Sequence, residues 1–356
     1  MKKKTLTVLL IILVLAYAVT IFLYERKRNY PEIMAVTGAT PIALAEHIPE
    51  GVALTIKGMV KQEYHITGSA LRALANTRIR TREISPQGEY LGAYIYLGIP
   101  IYNLLEGIAP QKPEGLSFQR PVDILVTFKS STGKAATFSY GELIMADDRH
   151  PITLAFHRKP LMPGTDPEKY SKNLFLENLE GLRLVCPRDP DTSRYLDQVV
   201  TITFGVHETP DHLLPPWKEK FKCTSTSLSC VAGEKVWPAS FEGLDQQEIR
   251  DWIRVGHGHG FMGISSARGY PLRPFLRKNF LNCGSGQDFI FVSCDGFRTI
   301  FSGPEIFLNE EGESILLMTE LDGKATQGNI TIAPLRDYFV DRDVWGITHI
   351  VMVDRK

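Results

Sequence analysis

Five residues, Gly-His-Gly-His-Gly at positions 256–260, join a metal-binding side chain to the residue that leaves backbone amides most accessible. Imidazole nitrogen ligates metals, and a glycine-rich turn can aim successive N–H groups at an anion. Three readings of the run stand. The glycines serve a turn that needs positive φ. The amides around Gly258, with His257 or His259, bind an anion. Or His257 and His259 hold a metal. In that last case residues i and i+2 of an extended chain point to opposite faces, so joint ligation needs a bent loop and a further ligand such as His349. Arg268 and Arg273, on either side of Gly269-Tyr270-Pro271, are candidates to face a bound anion, against the plainer reading of exposed surface arginine.

Other chemistry-bearing groups are weaker. Asp147, Asp148, Arg149 and His150 precede Pro151 and read as a solvated loop. Gly-Ser-Gly-Gln-Asp-Phe at 284–289 lacks the full phosphate-loop pattern and runs into a strand, and neither a serine elbow nor an HExxH motif occurs. Five cysteines, Cys186, Cys223, Cys230, Cys283 and Cys294, form no CxxC or CxxCH, which leaves a zinc ribbon and c-type haem attachment unsupported. Cys223 and Cys230 bracket a short loop that a disulfide would close in an oxidising compartment; two unpaired buried thiols are the alternative.

These residues must be held by something, and the chain is long enough for two soluble units. Lys+Arg and Asp+Glu are 40 each, so no basic excess points to nucleic acid, and no nucleic-acid partner is expected. Residues 5–24 are mostly apolar behind Lys2, Lys3 and Lys4, long enough at about 1.5 Å per residue to cross a hydrocarbon core of about 30 Å. We read residues 1–28 as an uncleaved signal anchor, with 29–49 a linker. The expected location is a bacterial inner membrane, single-pass, with the soluble part in the periplasm and a protein of a membrane complex as partner.

Three prolines, Pro210, Pro215 and Pro216, break regular structure within 207–235, read as an interdomain linker. The flanking stretches, 50–206 and 236–356, then align in order. Gly98 corresponds to Gly269, Phe138-Ser139 to Phe301-Ser302, Glu142 to Glu305 and Pro187 to Pro334. Each has a Gly-x-Pro-apolar step into a short helix, a hairpin through a glycine turn ("SSTGK", "CDGF"), a Phe-Ser-x-x-Glu run and a later strand. The stretch "ILLMTELDGK" reads equally as strand or helix.

In that ordered pattern, "LTIKGMV", "ALRAL", "YLGIPIYNLL", "DILVTF", "FSYGELI" and "LRLVCP", with the second set "ARGYPLRPFL", "FSGPEIF" and "ITIAP", the chain resembles the molybdopterin-binding domain of the sulfite oxidase family as a diverged tandem repeat. The resemblance implies an α+β fold, two tandem mixed domains behind a transmembrane helix. It also implies a molybdopterin cofactor carrying molybdenum or tungsten, whose metal is ligated by one cysteine about a dozen residues before the Gly-x-Pro step. Residues 83–90 and the "GHGHGFMG" stretch stand there, and neither holds a cysteine. His257, His259, Gly258, Arg268 and Arg273 are the cofactor-binding candidates under this resemblance, with pterin phosphate as one anion. Two functions follow as expectations: oxo or electron transfer without the usual thiolate, or a non-catalytic binding or assembly subunit that has lost the cofactor.

Overall fold

Short β-branched and aromatic runs between glycine turns, such as LVTFKS and QDFIFVS, build hairpins, because such side chains pack well on a pleated surface. A computed structural model describes residues 52–355 apart from 75–76, 147–148, 162–176, 208–212, 219–226, 257, 259 and 327–328. The first half runs β1 (Ala53–Gly58), β2 (Tyr64–Thr67), α1 (Gly68–Leu74), β3 (Thr77–Ile84), β4 (Tyr90–Pro100), α2 (Ile101–Glu106), β5 (Leu125–Ser130), β6 (Ala135–Ser139), α3 (Tyr140–Ile144), β7 (Thr153–Pro160), β8 (Glu177–Val185) and β9 (Val199–Gly205). The second runs β10 (Ser229–Ala232), β11 (Lys235–Pro238), β12 (Gln247–Gly256), β13 (Gly260–Pro271), α4 (Leu272–Asn279), β14 (Gln287–Ser293), β15 (Arg298–Ser302), α5 (Gly303–Phe307), β16 (Ile315–Leu321), β17 (Lys324–Ala325), β18 (Thr331–Pro334) and β19 (Ile347–Asp354).

These strands form four sheets among the described residues. Two have five strands, ordered β2-β1-β9-β5-β6 and β11-β10-β19-β14-β15. In each the first strand of the half lies parallel to the last, β1 on β9 and β10 on β19, while the other pairings are antiparallel. The other two sheets are β3-β4-β7-β8 and β12-β13-β16-β17, with β18 also on β16. β10 starts within 207–235, so the second half begins inside the stretch expected as linker, and residues 47–356 cluster as one compact unit.

The α+β expectation is overturned: the described residues are mostly β, and no helix among them exceeds eight residues. The apolar spacing after Gly-x-Pro does encode helix, but only one or two turns of it. Pro100 and Pro271 are the N-caps of α2 and α4, which close off the ends of β4 and β13 instead of building a helical layer. "ILLMTELDGK" is strand, β16. The expected transmembrane helix falls outside the described residues, and among those described no helix is long and apolar enough to cross a membrane.

The glycine of the Gly-x-Pro step has a packing cause. β4 bulges against β7 at Gly98 and β13 bulges against β16 at Gly269. A Cβ would stand 2.3 Å from the Leu154 carbonyl oxygen in one case and 2.3 Å from that of Leu317 in the other. Only glycine lets the neighbouring backbone this close.

Each half has its own apolar core. Ile56, Ile99, Phe128, Phe138 and Phe204 pack in the first, and Phe275, Phe289, Phe291, Phe301 and Ile350 in the second. Phe128 meets Phe138 edge to face at 5.5 Å, and Phe291 meets Phe301 in the same way at the same distance. A third cluster joins Leu125 of the first half to Ile290, Val292, Ile300 and Val351 of the second, so β14 and β15 are covered on both faces and read as continuous apolar runs.

Candidate functional site

The Phe-Ser-x-x-Glu runs meet at the centre of the molecule. Ser139 ends β6 and caps α3, accepting from the Glu142 amide at 3.0 Å; Ser302 ends β15 and caps α5, accepting from the Glu305 amide at 3.2 Å. Each cap reaches across: Ser139 Oγ donates to Glu305 Oε2 at 2.8 Å, and Ser302 Oγ donates to Glu142 Oε2 at 3.0 Å. Arg194 donates to Glu142 at 2.6 Å and forks onto Asp189 at 2.7 and 2.6 Å. Arg342 donates to Glu305 at 2.6 Å and forks onto Asp337 at 2.6 and 2.8 Å. Both guanidiniums lie over the phenylalanine of the same run, Arg194 over Phe138 at 4.5 Å and Arg342 over Phe301 at 4.6 Å. The result is a two-fold-like buried cluster in which each of two guanidiniums is shared by two carboxylates. Burial, opposed by Arg194 and reinforced by the nearby Glu305 carboxylate, pushes the Glu142 carboxyl up to about 7. Ser139, Glu142, Ser302 and Glu305 are all buried, so the cluster fastens the halves, and it meets an open cleft only at Asp189.

Beside this cluster a cleft of about 820 Å³ does open to solvent. β3 supplies one wall, because its TRIRTREI sequence alternates, with Ile79, Thr81 and Glu83 buried and Arg78, Arg80 and Arg82 exposed. Arg80 and Arg82 line the cleft, joined by Arg149, His150 and Arg188 from the first half and by Arg336 from the second. Arg188 and Arg336 each stand one residue before the aspartate that braces a buried arginine, so the two matching loops deliver one arginine each to the same place. The carboxylates of the cleft are fewer: Asp189 is turned inward onto Arg194, Glu311 pairs with Arg188 at 2.5 Å, and Glu310 is exposed. Among the described residues Arg80, Arg82 and Arg336 have no carboxylate partner. A cleft so lined attracts anions, and planar guanidinium forks match phosphate or carboxylate oxygens two at a time.

The expected site residues are not gathered here. Gly256 and Gly260 face each other at the end of the β12–β13 hairpin, with Gly258 at φ +83° and Gly260 at φ +68°, conformations that suit glycine. His257 and His259 lie outside the described residues. His349 is on β19, in another sheet, hydrogen-bonded to the Thr348 hydroxyl at 2.9 Å. Arg268 is exposed on β13 between Glu248 and Glu320 on the neighbouring strands. Arg273 spends its donors on the Ile306 and Asn309 carbonyls, at 2.8 and 2.9 Å, and on Glu313 at 3.3 Å. Among the described residues no group of three or more histidine, cysteine or acidic side chains is arranged to hold a metal.

The Cys223–Cys230 bridge is corrected. Cys230 is a free thiol on β10, wholly buried, its pKa pushed up to about 12 by that burial, while Cys294 is disulfide-bonded. Sequence proximity put Cys223 near Cys230, but the pleat of β10 turns the Cys230 side chain into the second core. Cys223 itself lies outside the described residues.

The residues also test the implied molybdenum centre. Cys186 immediately precedes cleft-lining Pro187, yet it is 1% exposed, burial holds its thiol well above the usual range, and its sulfur points to the Arg194 carbonyl at 3.8 Å. Among the described residues the cleft has no thiolate to offer a metal. Its arginines suit an anionic group, whereas the donor set does not suit cysteine-ligated molybdenum.

The arginines escaped sequence reasoning although a signal was present. Arginine at 78, 80 and 82 is a period-two stripe that a strand must place on one face. Arg188 and Arg336 each precede an aspartate just after the matched Pro187 and Pro334, but nothing local shows that the two reach one cleft.

No family model matches the chain, and no curated protein sequence matches it. Among solved structures it is similar to the sulfane dehydrogenase SoxCD from Paracoccus pantotrophus, with 12% sequence identity and a TM-score of 0.32 over 88% of this chain and 80% of that one.

Proposed function

We propose that this protein is a non-catalytic binding module of a membrane complex, tethered through residues 5–24 with its β-sheet unit outside the cytoplasm, and that the arginine cleft receives a phosphate-bearing ligand. The observation that carries the reading is the convergence of Arg80, Arg82, Arg149, Arg188 and Arg336 on one open cleft. A diverged tandem duplication accounts for the two five-stranded sheets of matching strand order and for the matched central clusters. Oxo transfer of the sulfite oxidase type needs a soft thiolate donor that stays on the metal, and the cleft lacks one among its described residues.

The test uses the full chain in a neutral detergent, produced in a molybdenum-replete host. Calorimetric titration with pyrophosphate is expected to show one site that weakens at least tenfold in Arg80→Gln/Arg82→Gln, with an unchanged melting temperature because both side chains are exposed. Binding should also weaken as salt rises. Plasma mass spectrometry is expected to find molybdenum and tungsten well below one equivalent. Stoichiometric metal with pterin, or pyrophosphate titrations identical in the wild type and the double variant, would overturn the reading.

A further inference from the structure

A second cavity of about 430 Å³, which shares no lining residue with the cleft, lies where the first half, β14 and residues 213–218 meet. Its polar end is a buried triad. Lys112 and Arg298 both pair with Asp123, Arg298 through Nε at 2.9 Å, and the side chains of the three are 1%, 7% and 7% exposed respectively for lysine, arginine and aspartate. Two cations thus share one carboxylate out of water, leaving one positive charge without a counterpart, a costly arrangement for a folded protein. His207, also in the wall, is already paired with Asp288 at 2.9 Å.

The unused donors can be named. Arg298 Nη1 is buried and has no hydrogen-bond partner. The Lys112 ammonium has three protons, of which the Phe118 carbonyl at 2.9 Å and Asp123 take two. Both cations are held rigidly over the Phe118 ring, at 4.7 and 4.8 Å, and that ring is itself wedged against Trp217 and Phe297. The rest of the wall is mainly apolar, from Leu116, Val206, Leu214, Pro216 and Ile290. A cavity of this size, apolar with a few convergent polar groups, has the form of a small-molecule site. The matching position in the second half cannot make another, because Ala135 on β6 stands where β15 has Arg298, and the loop carrying Lys112 and Asp123 has no counterpart of its length before β14.

We propose that this cavity binds a small monocarboxylate with an apolar body, its carboxylate completing the charge of the Lys112–Asp123–Arg298 triad and its body lying on the aliphatic wall. Monovalent charge matches the single uncompensated cation. The apolar wall selects against inorganic anions, whose remaining oxygens would be left without donors.

Calorimetric titration of the full chain carrying Arg80→Gln/Arg82→Gln, which disables the arginine cleft, tests this with benzoate, with benzamide as the neutral isostere and with inorganic phosphate as the apolar-free anion. One benzoate site is expected, with benzamide and phosphate at least tenfold weaker. Arg298→Gln, which leaves Lys112 and Asp123 as a balanced pair, should weaken benzoate at least tenfold. Because a buried substitution can unfold the chain, Ser117→Asp provides a second variant: Ser117 is exposed in the cavity wall, and a carboxylate there competes with the ligand for the same cations. Benzoate affinity should be the same in the wild-type chain and in Arg80→Gln/Arg82→Gln, which separates this site from the cleft. Benzoate and benzamide binding alike, phosphate binding in place of benzoate, or no benzoate binding would each overturn the proposal.

Discussion

The two outer sheets occupy the same place in the chain order and present opposite surfaces, while the centre between the halves repeats itself. β3 shows solvent a stripe of arginine; the matching β12–β13 hairpin shows it Ile253, Phe261 and Ile264, which are 59%, 67% and 63% exposed. At the centre, by contrast, Ser139, Glu142, Arg194 and Asp189 are matched one for one by Ser302, Glu305, Arg342 and Asp337. The difference follows from burial. Each arginine of the central cluster serves two buried carboxylates, so changing it strands both in a low dielectric. An outward side chain on a strand answers to nothing behind it, and its identity is open to function.

The sharpest way to break this comparison is at the buried arginines. Arg194→Ala and Arg342→Ala should each cost about 3–5 kcal/mol, since each leaves two carboxylates buried and unpaired. Urea unfolding checks this, and a small loss in either one alone would show that the matched clusters do not carry equal weight.

A smaller effect is the pH dependence that Glu142 confers. The Glu142 carboxyl rises from an ordinary 4.5 to about 7 in the folded protein, so the folded state binds its proton more tightly than the unfolded chain does. That contribution is fully present below about pH 4.5 and is lost as pH rises through 7; at about 1.4 kcal/mol per unit it reaches on the order of 3 kcal/mol. Glu142→Gln keeps an acceptor for Arg194 and cannot titrate. Urea midpoints at pH 5, 6 and 7.5 should therefore fall with pH in the wild type and change less in the variant.

The smallest effects belong to the outer sheets. Ile253 and Ile264 are direct cross-strand partners on β12 and β13, and Ile253→Thr should cost less than about 1 kcal/mol. The same variant should lower binding of a hydrophobic dye. A loss comparable to that of Arg194→Ala would show that the hairpin surface is part of a buried interface.

Much of the scaffold is legible in the sequence alone. Gly98 and Gly269, the glycine hairpin turns and the repeated Phe-Ser-x-x-Glu runs are visible in the sequence, because turns and bulges are governed by residues a few positions apart; that the serines cap helices is shown by the structure. The helical weight of the fold was misjudged at the same level: apolar spacing after Pro100 and Pro271 specifies that a helix starts, while its length depends on where the following strand docks. The histidine run stands out by composition, whereas the cleft is made by arginines spread over separate stretches of the chain.

What the sequence determined by itself is therefore the local vocabulary, repeated in the same order in both halves. What only the tertiary structure decided is which distant residues meet: Ser139 with Glu305 across 166 positions, Arg298 with Asp123 across 175, Arg188 and Arg336 in one cleft, and Cys230 inside a core instead of in a bridge. Such pairings are selected by the desolvation of charge and the packing of whole sheets, energies that depend on three-dimensional neighbours and have no signature at short range along the chain.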